Sequence, residues 1–191
     1  MGGSYYLERL MNKHLMVDLE TMATSPHSAI ASIGAVIFDP NAEDIDGMPT
    51  FYQAVDLGTN EKAGRHFSGS TISWWLSQSE PARAALLTDV LPLHTALTAF
   101  QLWITKNQPI ICWANSPSFD CVILKDAFSD FHMNWPFDYW KERDVRTITD
   151  AAYPNGDCPK IQLGVAHGAL DDAMSQALTV QRCFSALRQR T

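Results

Sequence analysis

Hydrophobic positions along the chain follow two regimes. Up to about residue 55 they come as short dense runs, and from about residue 70 onward they recur at three- and four-residue steps. His14 to Leu19 is an apolar run that ends in acidic residues, the pattern of a buried strand. Ala29 to Phe38 (AIASIGAVIF) is rich in Ile, Val and small residues and stops at the turn cluster Asp39-Pro40-Asn41, which predicts a second central strand. Thr50 to Val55, after the Asp46-Gly47 turn, reads as a third. The short connections between these runs predict an antiparallel opening to the sheet. The pattern then becomes helical. Ser70 to Leu76 opens one short helix, and Glu80-Pro81 starts another with Pro in the first turn. After Pro92, the spacing of Leu93, Leu97, Phe100 and Ile104 predicts an amphipathic helix. Ile110 to Trp113 reads as a short buried strand behind Pro109. Helices are expected over Ser118 to Phe128, Val145 to Tyr153 and Ala169 to Leu187. Three strands followed by alternating helices and strands define an α/β protein with a mixed sheet rather than a pure dinucleotide-binding fold.

Composition narrows the function classes. A chain of 191 residues, 46% hydrophobic and 18% charged, has the size and character of one globular domain. No apolar stretch approaches the ~18–20 residues of a membrane span. Met1 to Met16 lacks the apolar core and small-residue site of a signal peptide, and Tyr6 stands where a myristoylation signal needs Ser or Thr. A soluble, cytoplasmic protein with no membrane partner is expected. The net charge of −7 argues against a histone-like or sequence-specific duplex binder. Cys112, Cys121, Cys158 and Cys183 form no CxxC pair and read as reduced, mostly buried thiols. The six histidines make no HxxxH pair, which disfavours zinc. No glycine-rich phosphate loop is present.

The candidate chemistry lies in acids. Asp18 and Glu20 close the first strand, where residues two apart face the same way, so their carboxylates can converge on a hard divalent cation; solvated strand-end acids are the plainer alternative. Asp120 sits between a predicted strand and helix and could equally serve the helix N-terminus. At the last helix, His167 and Asp172 would lie about 140° apart if both were helical. They can share a site only if His167 belongs to the preceding loop, which Gly168 favours. Asp171 is the competitor, with a helix N-terminal role as its alternative.

These motifs together, VDLET at Val17–Thr21, NSPSFD at Asn115–Asp120 and HGALDDA at His167–Ala173, resemble the DEDDh superfamily of 3′–5′ exonucleases. The stretches DLETMATSPHSAIASIGAVIFD and STISWWLSQS most resemble its phage- and prophage-type branch and bacterial exoribonuclease-like relatives. The resemblance runs in order from about His14 to about Leu187. It implies a ribonuclease H-like fold with a five-stranded sheet whose first three strands are antiparallel. It also implies a single exonuclease domain over 14–191. Residues 1–13 read as an N-terminal extension, either native or in part a remnant of cloning ahead of a start at Met11. By resemblance Asp18, Glu20, Asp120 and Asp172 are metal ligands for two Mg²⁺ or Mn²⁺ ions, and His167 is the general base. Gly168, one residue after His167, stands where the alternative subtype carries Tyr. Ser116 departs from the Gly usual in this branch. Two cations would cancel four acids that account for more than half of the net negative charge.

Other residues carry paired readings. Trp74 and Trp75 are adjacent and cannot share a face, so one is expected in the core and one near substrate. Phe119 either wedges a terminal base or packs the core. Asn115 and Ser118 bind substrate or cap the following helix. Leu19 and Thr21 flank the first two ligands, where their backbone meets the terminal sugar. Arg143, Arg146 and Lys160 hold phosphates or are solvated charges. By resemblance, the expected partner is nucleic acid with a free 3′ end, single-stranded or frayed, DNA or RNA, released as 5′-mononucleotides. The alternatives are a phosphodiesterase on short oligonucleotides and a silent nucleic-acid-binding module. A homodimer is compatible with the resemblance, since many relatives are dimers.

Overall fold

The computed structural model describes residues 12–190; the expected N-terminal extension falls almost wholly outside them. Five strands form one sheet in the order β3-β2-β1-β4-β5: β1 His14–Thr21, β2 Ile30–Phe38, β3 Thr50–Ala54, β4 Ile111–Ala114 and β5 Glu142–Asp144. The first three are antiparallel neighbours, and β4 and β5 add in parallel beside β1. The helices are α1 Leu57–Lys62, α2 Gly69–Leu76, α3 Glu80–Ala85, α4 Leu93–Asn107, α5 Asp120–Asp130, α6 Val145–Ala152 and α7 Ala169–Gln189. The mixed sheet read from the hydrophobic pattern is therefore present, with every predicted strand and helix in place to within a few residues.

Strand alternation explains how the site is aimed. Leu15, Val17 and Leu19 of β1 pack with Ile33, Ala35 and Ile37 of β2 against Leu97 and Phe100 of α4 and Leu124 and Phe128 of α5. The even-numbered positions face the other way. Met16 packs with Val36, Phe38 and Trp113 beneath Ala173, Ala177 and Val180 of α7. Asp18 and Glu20 continue that even series, so β1 presents them on the side that α7 covers. All nine residues of β2 are buried, as expected of a strand covered on both faces. A smaller apolar cluster joins Met22, Ala29 and Ala31 to Trp75, Ala82 and Leu86, seating α2 and α3 beyond the end of β1. No helix among the described residues is long and apolar enough to cross a membrane.

Candidate active site

Four carboxylates arrive from three places in the chain. Asp18 and Glu20 come from β1, Asp120 is the first residue of α5 just beyond β4, and Asp172 lies in the first turn of α7. Three of them, Asp18, Asp120 and Asp172, are held by specific donors. The Gln176 Nε2, one turn beyond Asp172, donates to Asp18 Oδ1 at 2.7 Å. The Leu19 backbone N–H donates to Asp120 Oδ1 at 3.1 Å. The His167 backbone N–H reaches Asp172 Oδ2 at 3.1 Å, and Gln162 Nε2 reaches Oδ1 at 3.1 Å. Ligand atoms of Glu20, His167 and Asp172 all lie within 4.8 Å of one another.

The electrostatics are those of an acid cluster set back from water. Burial lifts Glu20 from 4.5 to about 10, and the charges of Asp18, Asp172 and Asp120 add to the shift. Burial, then repulsion from Asp120, drives Asp18 well above the usual carboxylate range, with the Gln176 hydrogen bond pulling the other way. Burial raises Asp120 to about 7, opposed by the N–H groups of Leu19 and Asp120 and by the Arg146 guanidinium. Four hard oxygen donors crowded to mutual disadvantage fit a divalent cation, which removes the cause of that disadvantage.

His167 is outside the helix, as convergence with Asp172 requires, but the turn is built differently from the expectation. Gly168 has an ordinary φ of −103° at the N-cap, while His167 itself takes the left-handed conformation at φ +63°. The Asp171 carboxylate accepts from the Val165 backbone N–H at 2.8 Å and sits against the Cα of Gly164, a left-handed residue where a side chain would collide with it. Asp171 thus braces the loop from behind, and Asp172 alone faces the cluster.

The aromatic pair divides as expected, with one correction. Trp74 is 41% exposed and meets the His167 ring edge-on at 4.8 Å. Trp75 is 5% exposed and its Nε1 donates to the Thr21 carbonyl at 3.0 Å, so it supports the end of β1 and has no surface to offer a substrate. Thr21 is buried likewise, its hydroxyl bonded to the Ala23 carbonyl and its own carbonyl taken by Trp75. Leu19, Ser118 and Phe119 line a cleft of about 510 Å³ with Asp18 and Asp120. Helix capping by Asn115 or Ser118 does not occur. The Ser118 hydroxyl pairs with that of Ser116, and α5 starts without a side-chain cap.

Asn115 instead holds Arg146, accepting from Nε at its Oδ1 (3.2 Å) and from Nη2 at its carbonyl (3.4 Å). Arg143 turns away to the Trp140 and Glu142 carbonyls. A second trio, His27, Asp126 and Asp130, has the spacing of a cation site. The buried Arg65 already fills it, donating to Asp126 at 3.2 Å and Asp130 at 2.6 Å. Gln162 and Gln176 are the site residues that sequence reasoning missed. Gln176 was visible as the residue four after Asp172, hence on the same helix face.

A mixed sheet with antiparallel β1–β3, carrying Asp and Glu on its central strand and further Asp residues at two helix starts, defines a ribonuclease H-like nuclease of the DEDDh class. The chain belongs to the family of Rv2179c-like 3′–5′ exoribonuclease domains, which it matches over residues 13–184; it is a 3′–5′ exonuclease acting on nucleic acid. It is 26% identical over 202 aligned positions to the exodeoxyribonuclease of Enterobacteria phage T4, covering 87% of this chain and 86% of that one. The nuclease domain of 3′hExo, a DEDDh member bound to rAMP, superposes with a TM-score of 0.63 at 14% identity, covering 91% of this chain and 92% of that one. Cell-death related nuclease 4 superposes with a TM-score of 0.61 at 16% identity over 91% of this chain, which spans 64% of that protein. Exonucleases of this class work with divalent metal ions.

Proposed function

We propose that this exonuclease removes 5′-mononucleotides one at a time from the 3′ end of single-stranded or frayed DNA or RNA. In this reading Asp18, Glu20, Asp120 and Asp172 hold two Mg²⁺ or Mn²⁺ ions. The observation that carries it is the crowding of four carboxylates at one site with burial and mutual repulsion lifting Glu20 to about 10, a cost with no structural return unless cations bind. When bound, the metal pair supplies charge stabilisation for the phosphate and its departing 3′ oxygen. His167 takes the proton from the attacking water as the new P–O bond forms. Its left-handed backbone turns the N–H onto Asp172 and its ring stands against Trp74, so the base is fixed relative to one ligand. Leu19, Ser118 and Phe119 offer the terminal nucleoside an apolar wall and a hydroxyl.

The test is a time course on 3′- and 5′-labelled strands of DNA and RNA, with a closed circle as control. Mg²⁺ or Mn²⁺ should give mononucleotides from linear strands only, and Asp18→Ala should give none while folding normally. Cleavage of the circle, or full activity in excess chelator, would overturn the proposal.

A further inference from the structure

A second cleft, of about 610 Å³, lies between α6, the segment at residues 158–162 and α7, and it reaches the carboxylates at Asp172. Arg146 and Asn115 line both this groove and the one that holds Leu19 and Phe119, so they form the shared wall. The two clefts differ in charge. Arg146 is the only basic residue lining the first, whereas the groove adds Lys160. Asp150 also borders the groove, and with Asp172 assigned to the metal site it stands as one acid against two cations.

The chemistry of a 3′-terminal cut assigns these clefts. The departing nucleotide carries no phosphate beyond the scissile one, while the strand on the 5′ side carries one per nucleotide. The cation-bearing groove therefore suits the 5′ side. Arg146 is built for a phosphate. Asn115 occupies its Nε and Nη2 and leaves Nη1 open, so the fork is already oriented and little side-chain freedom is lost on binding. Lys160 is exposed and has no hydrogen-bond or ion-pair partner among the described residues. An independent observation concerns Gln176, which lines the same groove. Its Nε2 serves Asp18, but its Oε1 is buried and has no partner, an acceptor awaiting a donor. A sugar hydroxyl or a bridging water is the donor a nucleotide would bring.

We propose that this groove is the track for the strand on the 5′ side of the scissile bond, with Arg146 as a fixed phosphate clamp and Lys160 as a second contact. This rests on the exonuclease reading above and specifies how that site takes a polymer. The test compares a single strand of about ten nucleotides with the p-nitrophenyl ester of thymidine 5′-monophosphate, which has a terminal nucleotide and no 5′ strand. The ratio of the two kcat/KM values should fall about tenfold in Arg146→Gln and about threefold in Lys160→Ala. For the strand, the log–log salt dependence should flatten by about 0.7 for each cation removed. A ratio unchanged in both variants, or equal slowing of both substrates, would overturn the groove assignment while an active wild type leaves the exonuclease reading standing. A wild type inactive on linear strands sinks the exonuclease reading itself.

Discussion

Replacing Asp120 by Asn should abolish turnover and, in the absence of metal, make the protein more stable. The carboxyl has an ordinary value of 3.8 and is lifted to about 7, chiefly by burial. Ionising such a group in the folded state costs up to ~4 kcal/mol at ~1.4 kcal/mol per pH unit. Asn keeps the shape and an oxygen for the Leu19 N–H, and it carries no charge. It gives up the attraction to Arg146 and must place an NH₂ where an oxygen was, so a net gain of about 1–3 kcal/mol is expected. In a domain of this size that is roughly a 3–10 °C rise in Tm. The sign follows from proton counting. The native acid keeps its proton to higher pH than the unfolded chain does, so its contribution is fully present below about pH 4 and is lost as pH rises through about 7. The advantage of Asn should thus be absent near pH 4 and full near pH 8. Divalent cation should reverse the ranking, because it stabilises only the fold that holds it. Circular-dichroism melts of both proteins at about pH 4 and 8, with chelator and with Mg²⁺, read all of this. An Asn variant less stable than wild type at pH 8 in chelator, or a difference that ignores pH, would refute the reasoning.

His167→Ala should lower kcat by about 10²–10⁴-fold without weakening metal binding measured by calorimetry, and the residual rate should rise with pH as hydroxide replaces the lost base. Asp172→Asn should be severe and Asp171→Asn mild in the same assay, since an amide oxygen still accepts from the Val165 N–H; the opposite order would exchange their roles. Gly34→Ala should unfold the chain or cost several kcal/mol in urea denaturation, because the new methyl would overlap the backbone of Ala169 and Leu170.

Where apolar spacing decided an element, the chain was legible. Leu93, Leu97, Phe100 and Ile104 are all buried on α4 at the predicted steps. The elements that escaped have little apolar pattern to read. α1 buries only Asn60, whose amide bonds both the N–H and the carbonyl of Ile30 and so completes the backbone pairing at the start of β2. β5 is the three-residue segment Glu-Arg-Asp, a strand because β4 offers it a parallel edge. At the site, the carboxylates and His167 were found through motif order, and strand alternation explains the convergence of Asp18 and Glu20. Gln162 and the burial of Trp75 were not legible. Gln162 meets Asp172 across a loop with no periodicity, and two adjacent tryptophans give no sign of which one faces inward.

The arrangement depends on one close approach that no acid supplies. Asp18 on β1 pairs across the sheet with Gly34 on β2, and Gly34 faces the same side as the carboxylate. At Gly34 the backbone of Ala169 and Leu170 lies where any Cβ would be. The N-terminal turn of α7 therefore rests directly on the sheet beside Asp18. That is why Asp172, three residues on, faces the β1 acids, and why Gln176, one turn later, reaches Asp18. Below this point the helix is held by Ala173, Ala177 and Val180, small residues that keep it near the sheet. The other acid-bearing helix is placed by an equally local bond, since the Leu19 N–H that fixes Asp120 lies between Asp18 and Glu20. The Asp18 and Glu20 side chains of β1 face α7 and the Leu19 backbone N–H reaches Asp120 at the start of α5, so a single strand sets the spacing of all four acids. In the proposed two-metal reading a displacement of either helix would be read at the metal ions as well as in stability, and Gly34 is where α7 is most exposed to that risk.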